Sequence, residues 1–207
     1  MASDVQICSA ALVRLGSDSI SSFEELSVGP LCAEIFPDVK LRVLTAAPWR
    51  VIIFKSLQLT QTLTEPPTQY EFEYQLPADM LTGLPRTVWD SSFNSGRGTQ
   101  YTDFDIFGRL LLTNSPQIFV DYSVDIDPEL LPPHINQLMI YAMMAELAFP
   151  VTDQQSVVDA AQKIAWGTPE QAGKGGYFKE AQRIDSQGHP SQAIKNYPLT
   201  AVRHGGL

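Results

Sequence analysis

Asp121, Asp125, Asp127 and Glu129 place four carboxylates within nine residues, the densest acidic group in the chain. Carboxylates this close can hold a divalent cation or work as acid and base. One reading is therefore a metal-dependent enzyme that uses Asp121, Asp125 and Asp127, with nuclease chemistry among the options. The Gly-and-Glu pattern of a calcium loop does not follow them. Acids that close a strand and open a helix are the competing account. The histidines are His134, His189 and His204, and none stands in H-E-x-x-H or a comparable ligand spacing. His134 follows two prolines at a helix start and reads as structural. Cys8 and Cys32 fall in the first two helical patterns and read as small core side chains rather than a redox pair or metal site. Gly173-Lys174-Gly175-Gly176 lacks the G-x-x-x-x-G-K-[ST] frame and the preceding strand of a phosphate loop. It reads as flexible backbone between two helical pieces. No G-x-S-x-G occurs. The expectation is a chain with no catalytic, cofactor-binding or metal-binding residues.

The elements that would position these residues follow from periodicity. Ser3 and Gln6 form a capping box, Val5, Cys8, Leu12 and Leu15 make an apolar stripe, and Gly16 supplies the stop. A helix is predicted over 3–16. A second, over 30–47, carries Leu31, Ile35, Val39 and Val43 at every fourth position, with Pro37 inside it as a kink or a restart. From 50 to 125 the period becomes two. Tyr70, Phe72, Tyr74 and Leu76 alternate with Glu71, Glu73 and Gln75 as a half-buried strand ended by Pro77. Ile118, Val120, Tyr122 and Val124 alternate with Phe119, Asp121 and Ser123. Residues 101–107 and 109–113 flank Gly108 as a hairpin, and 91–100 reads as a loop. Helices are predicted again over 133–149, 153–166 and 177–186. The first is apolar nearly all round, which marks a helix buried on most sides. Thr152 and Gln155 suggest a capping box for the second. Gly167 ends it. Residues 190–207 show no packing face and read as an extended tail. Two helices, a β-rich middle and further helices argue for an α+β fold in a single domain over 1–189, the terminal helices forming a bundle with the strands attached.

Composition narrows the classes. Apolar residues are 44% and charged residues 18%, enough to build a core and too few charges for wholesale disorder. Two cysteines make no disulfide scaffold, and no apolar run approaches the roughly 20 residues of a membrane span. Met1-Ala2-Ser3-Asp4 opens without the pattern of a secretory signal. The net charge is −9, yet residues 170–207 are net positive. An acidic body grips nucleic acid poorly, because phosphate binding needs clustered Lys and Arg.

Several stretches taken in order resemble a known family. They are Leu12-Val13-Arg14-Leu15-Gly16, then Phe36-Pro37-Asp38-Val39-Lys40-Leu41-Arg42 leading through Leu44 to Pro48-Trp49. Tyr74-Gln75-Leu76-Pro77-Ala78-Asp79 follows. Tyr122 with Asp125 and Asp127-Pro128 then precedes Leu131-Pro132-Pro133 and Ala145-Glu146-Leu147-Ala148. Ala181-Gln182-Arg183-Ile184-Asp185 and Gln187-Gly188 close the series. Over about residues 3–190 this resembles the tail tubular protein A family of tailed bacteriophages, the head-to-tail adaptor or gatekeeper proteins. The glycines at 167–176 depart from the continuous last helix of that pattern.

The resemblance implies a non-enzymatic virion protein of the head–tail junction, made in the host cytoplasm. It implies a helical bundle with a β-rich region and a homo-oligomeric ring, typically of twelve subunits. The ring would join the portal to the next tail component, a nozzle or stopper, with genomic DNA passing through the lumen unread and no membrane involved. A connector of different symmetry is the related alternative. A ring of identical subunits repeats one heterologous contact, which calls for apolar surface beyond one core. Trp89, Phe93, Tyr101, Phe104 and Phe107 are candidates to supply it, or else they complete the subunit's own sheet. Trp49, Trp89, Arg97, Tyr101, Phe104, Tyr197 and Arg203 are the expected interface residues. The loop 90–102 is expected to meet the next tail component. The tail 190–207 is expected to order on the portal or a neighbour, or else to stay disordered.

Overall fold

The α-helices draw on both ends of the chain and meet on one central member. A computed structural model describes residues 2–25, 28–62, 69–90 and 100–187. Helix α1 (Asp4–Arg14) starts at Ser3, whose hydroxyl accepts from the Gln6 N–H while Gln6 answers to the Ser3 N–H. Helix α2 (Val28–Ala46) runs unbroken through Pro37. Pro37 and Ala33, one turn earlier, both face solvent, where water can serve the carbonyl that the proline leaves unpaired. Helix α3 (Pro133–Thr152) packs against α1, α2, α4 (Gln155–Trp166) and α5 (Gly176–Ser186). Neighbours on so many sides explain its near-uniform apolarity. Its exposed Glu146 pairs with Arg42 of α2 at 2.8 Å, and the same guanidinium lies 4.6 Å from the centre of the Trp166 ring.

The local structure differs from the sequence expectation at two joints. Thr152 does not cap α4. It ends α3, where its hydroxyl donates back to the Ala148 carbonyl at 2.6 Å, and α4 begins after Gln154 without a side-chain cap. The glycine-rich stretch is a tight joint rather than flexible backbone. A Cβ on Gly176, at φ +53°, would lie 2.5 Å from the Ile164 carbonyl oxygen and 2.8 Å from the Gly167 nitrogen. Glycine is what lets the start of α5 close on the end of α4.

The middle of the chain forms two antiparallel sheets. One has the order β1 (Ile53–Gln58), β7 (Phe119–Ser123), β4 (Thr87–Trp89). The other has the order β2 (Thr60–Gln61), β3 (Phe72–Gln75), β6 (Leu110–Thr113), β5 (Phe104–Phe107). Side chains from both sheets share one apolar cluster that includes Tyr74, Leu76, Val88, Leu111, Ile118, Val120 and Tyr122. The hairpin about Gly108 forms as β5–β6, with Gly108 at φ +61°. Alternation does not set exposure in β7. All five residues are buried, because the strand is central in its sheet and covered on both faces. Glu73, expected on the solvent side of β3, is only 7% exposed, and its carboxylate accepts the Thr62 hydroxyl at 2.7 Å.

Trp49 joins the two halves. The turn after α2 drives it into the helical core, where it is 0% exposed, meets Phe178 edge-on at 6.0 Å, and donates from Nε1 to the Val43 carbonyl at 2.7 Å. The chain then passes at once into β1.

Candidate functional site

The carboxylates at 121–129 do not converge. Strand β1 carries a bulge between Phe54 and Leu57, with Ser56 at φ +57°, and the Ser56 N–H turns to the Asp121 Oδ1 at 2.8 Å. The other oxygen of Asp121 accepts the Trp89 indole N–H at 3.1 Å. Asp121 thus fastens both edge strands of its sheet to β7. Asp125 instead reaches across to Lys40 of α2 at 2.8 Å. Asp127 and Glu129 stand exposed on the 3-10 turn Pro128–Leu130. Among the described residues, no three His, Cys, Asp or Glu side chains gather as a metal site. The arrangement does not unite Asp121, Asp125 and Asp127 in one centre.

Other chemistry-bearing residues take structural places. Cys8 and Cys32 are free and buried. Burial, and then the neighbouring Cys32 sulfur, push the Cys8 thiol well above its ordinary range. Burial raises Cys32 as well. His134 lies 3.7 Å from Asp185 and beside Trp49, tying the start of α3 to the end of α5. The Tyr122 hydroxyl meets both oxygens of Asp79 at 3.3 Å. Burial, and then the Asp79 charge, raise the Tyr122 phenol.

Of the expected interface residues, Trp49 is corrected outright. It is 0% exposed, because the hydrophobic gain of closing the helical core draws it inward, and it backs the groove described below from beneath rather than presenting surface of its own. Trp89 is half-buried through its bond to Asp121. Tyr101 and Phe104 are half-buried against the sheet cluster. Phe107 is the aromatic that projects, 77% exposed beside Gly108 at the tip of the β5–β6 hairpin. Phe93, Arg97, Tyr197 and Arg203 lie outside the described residues, as do most of the loop 90–102 and all of the tail 190–207.

An open groove of about 670 Å³ runs between the end of α2, strand β1 and helix α5. Ala47, Pro48 and Ile53 line it, and Arg50, Lys55, Arg86, Lys179 and Arg183 surround it. Five of the chain's 14 basic side chains thus meet at one place in an acidic protein. None of the five forms an ion pair among the described residues. The single carboxylate at the groove, Asp185, already accepts the Arg50 N–H and approaches His134. Burial lowers the Arg86 guanidinium from its ordinary value. Only the i,i+4 pair Lys179 and Arg183 signalled this groove in the sequence, because its other cations are scattered between residues 50 and 86.

No protein-family model matches the sequence, and no curated protein matches it.

Proposed function

We propose that the chain is a structural component of a tailed-bacteriophage virion, a head-to-tail adaptor that works as a homo-oligomeric ring between the portal and the tail. The observation that carries this reading is how the stretches resembling that family meet in space. Arg42 of Phe36–Arg42 pairs with Glu146 of Ala145–Ala148. Asp79, ending Tyr74–Asp79, receives the Tyr122 hydroxyl. Asp185 of Ala181–Asp185 accepts the N–H of Arg50, the residue after Pro48-Trp49. These stretches act as joints of the fold, which suits a chain that keeps a shape rather than a reaction centre.

The protruding Phe107 on the edge strand β5 adds support. An apolar tip on an open sheet edge suits a contact with another chain. The test is reconstitution. Portal assemblies of the cognate phage, mixed with this protein and imaged by electron microscopy, should gain a ring of density on the tail-facing end. Removal of the protein from the virion should leave filled heads without tails. Portals that stay bare at saturating protein, or virions that tail normally without it, refute the reading.

A further inference from the structure

We infer that the basic groove is one half of a contact between copies of this chain, and that its occupant is the acidic turn Asp127–Leu130 of a second copy. This rests on the ring proposed above and names the surfaces that would close it.

The groove needs an anion. Five cations without ion-pair partners among the described residues surround it against one lining carboxylate, Asp185, and an anion brought from elsewhere would relieve the repulsion that remains. Residues 188–207 do not bring that anion, because they include Lys195 and Arg203 and no Asp or Glu. The described body offers a matching surface. Asp127 and Glu129 are exposed, and they immediately precede Leu130, which is 67% exposed although it is apolar. Their charges reach as far as Asp4, whose carboxyl rises through burial, against Lys40, with Asp127 and Glu129 adding to the rise. Lys40 is already committed to Asp125.

The two surfaces complement each other in kind as well as in sign. The groove has an apolar floor of Ala47, Pro48 and Ile53 inside a basic rim. The turn has an apolar knob, Leu130, beside an acidic rim. An apolar anchor ringed by complementary charge is the usual anatomy of a specific contact. The two patches share no residue, so the contact pairs two different surfaces of the same chain. Such a contact propagates from subunit to subunit and closes if the rotation permits.

The experiment uses the full chain. Unlabelled and 15N-labelled protein are mixed and treated with a zero-length carbodiimide, which joins lysine amines to carboxylates already in contact. Mixed-isotope cross-links from Lys55 or Lys179 to Asp127 or Glu129 are expected. They should fall at least about tenfold near 1 M salt, where the screening length is about 3 Å.

Charge reversal provides the second arm, read by sedimentation velocity. One variant carries Lys55→Glu, Lys179→Glu and Arg183→Glu, and the other carries Asp127→Lys and Glu129→Lys, all at exposed positions. Each alone should lose association, and an equimolar mixture should regain it, because every groove then faces a turn of opposite sign. Mixed-isotope links elsewhere, no such links, or variants that associate as the wild type does overturn the inference. So does a groove that instead retains a fluorescent DNA duplex. Rings that form on portals without these links would defeat the groove assignment and leave the adaptor reading standing. Links without any portal ring would do the reverse.

Discussion

Truncating Trp49 separates a core residue from an interface residue. A Trp side chain buries about 150–250 Å². At about 25 cal/mol per Å², its burial contributes roughly 4–6 kcal/mol, and large-to-small changes of this kind cost about 3–5 kcal/mol in practice. Trp49→Ala should therefore lose about 4 kcal/mol, a large part of the roughly 5–15 kcal/mol of a typical domain. Trp49→Phe keeps most of the ring but loses the 2.7 Å bond from Nε1 to the Val43 carbonyl. That change should cost about 1–2 kcal/mol. The edge-on contact with Phe178 should appear as a coupling of about 0.5–1.5 kcal/mol in a double-mutant cycle with Phe178→Leu. Urea denaturation followed by far-UV circular dichroism reads all three quantities. Trp49→Phe should associate with partners as the wild type does once the folded fraction is matched. A Trp49→Ala variant within about 1 kcal/mol of wild type, or a Trp49→Phe variant of full stability that no longer associates, would refute the placement of this side chain.

Further outcomes follow from other joints. Gly176→Ala should cost more than about 2 kcal/mol, because backbone atoms crowd the new methyl group at a positive φ. Gly108→Ala, also at positive φ but with open space around it, should cost only about 1 kcal/mol, and paired denaturation curves decide between them. Cys8 and Cys32 are raised above the ordinary thiol range, so the unfolded chain releases their protons first. Stability should be intact below about pH 8.5 and fall as the pH climbs beyond it, with a shallower fall in Cys8→Ala; an unchanged slope would count against the burial. Arg42→Ala should lose about 1 kcal/mol through the Glu146 pair and the Trp166 ring together. Arg42→Lys should recover only part of that, because an ammonium cannot lie flat on the indole.

Much of the helical half was legible in the sequence, because a capping box, a stop glycine and a four-residue apolar period act over a single turn. Ser3 and Gln6 therefore marked the start of α1, and the apolar run after Pro133 marked the central α3. The α+β class followed from the change of period at about residue 50. Burial in the sheets was not legible. Whether Asp121, Ser123 and Glu73 face water depends on which strands flank them, and strand order is a non-local property. In a row of acids Asp121 has the chemistry of a ligand, and the bulge at Ser56 makes it a fastener instead.

The places where this chain turns from helix to strand and back are written in its residues, because those signals are local. Which charges stand together is set by the packing of distant segments. Arg50, Lys55, Arg86, Lys179 and Arg183 are up to 133 positions apart, and folding alone sets them around one groove. Electrostatic energy depends on distance through space, and the distance along the chain does not report it.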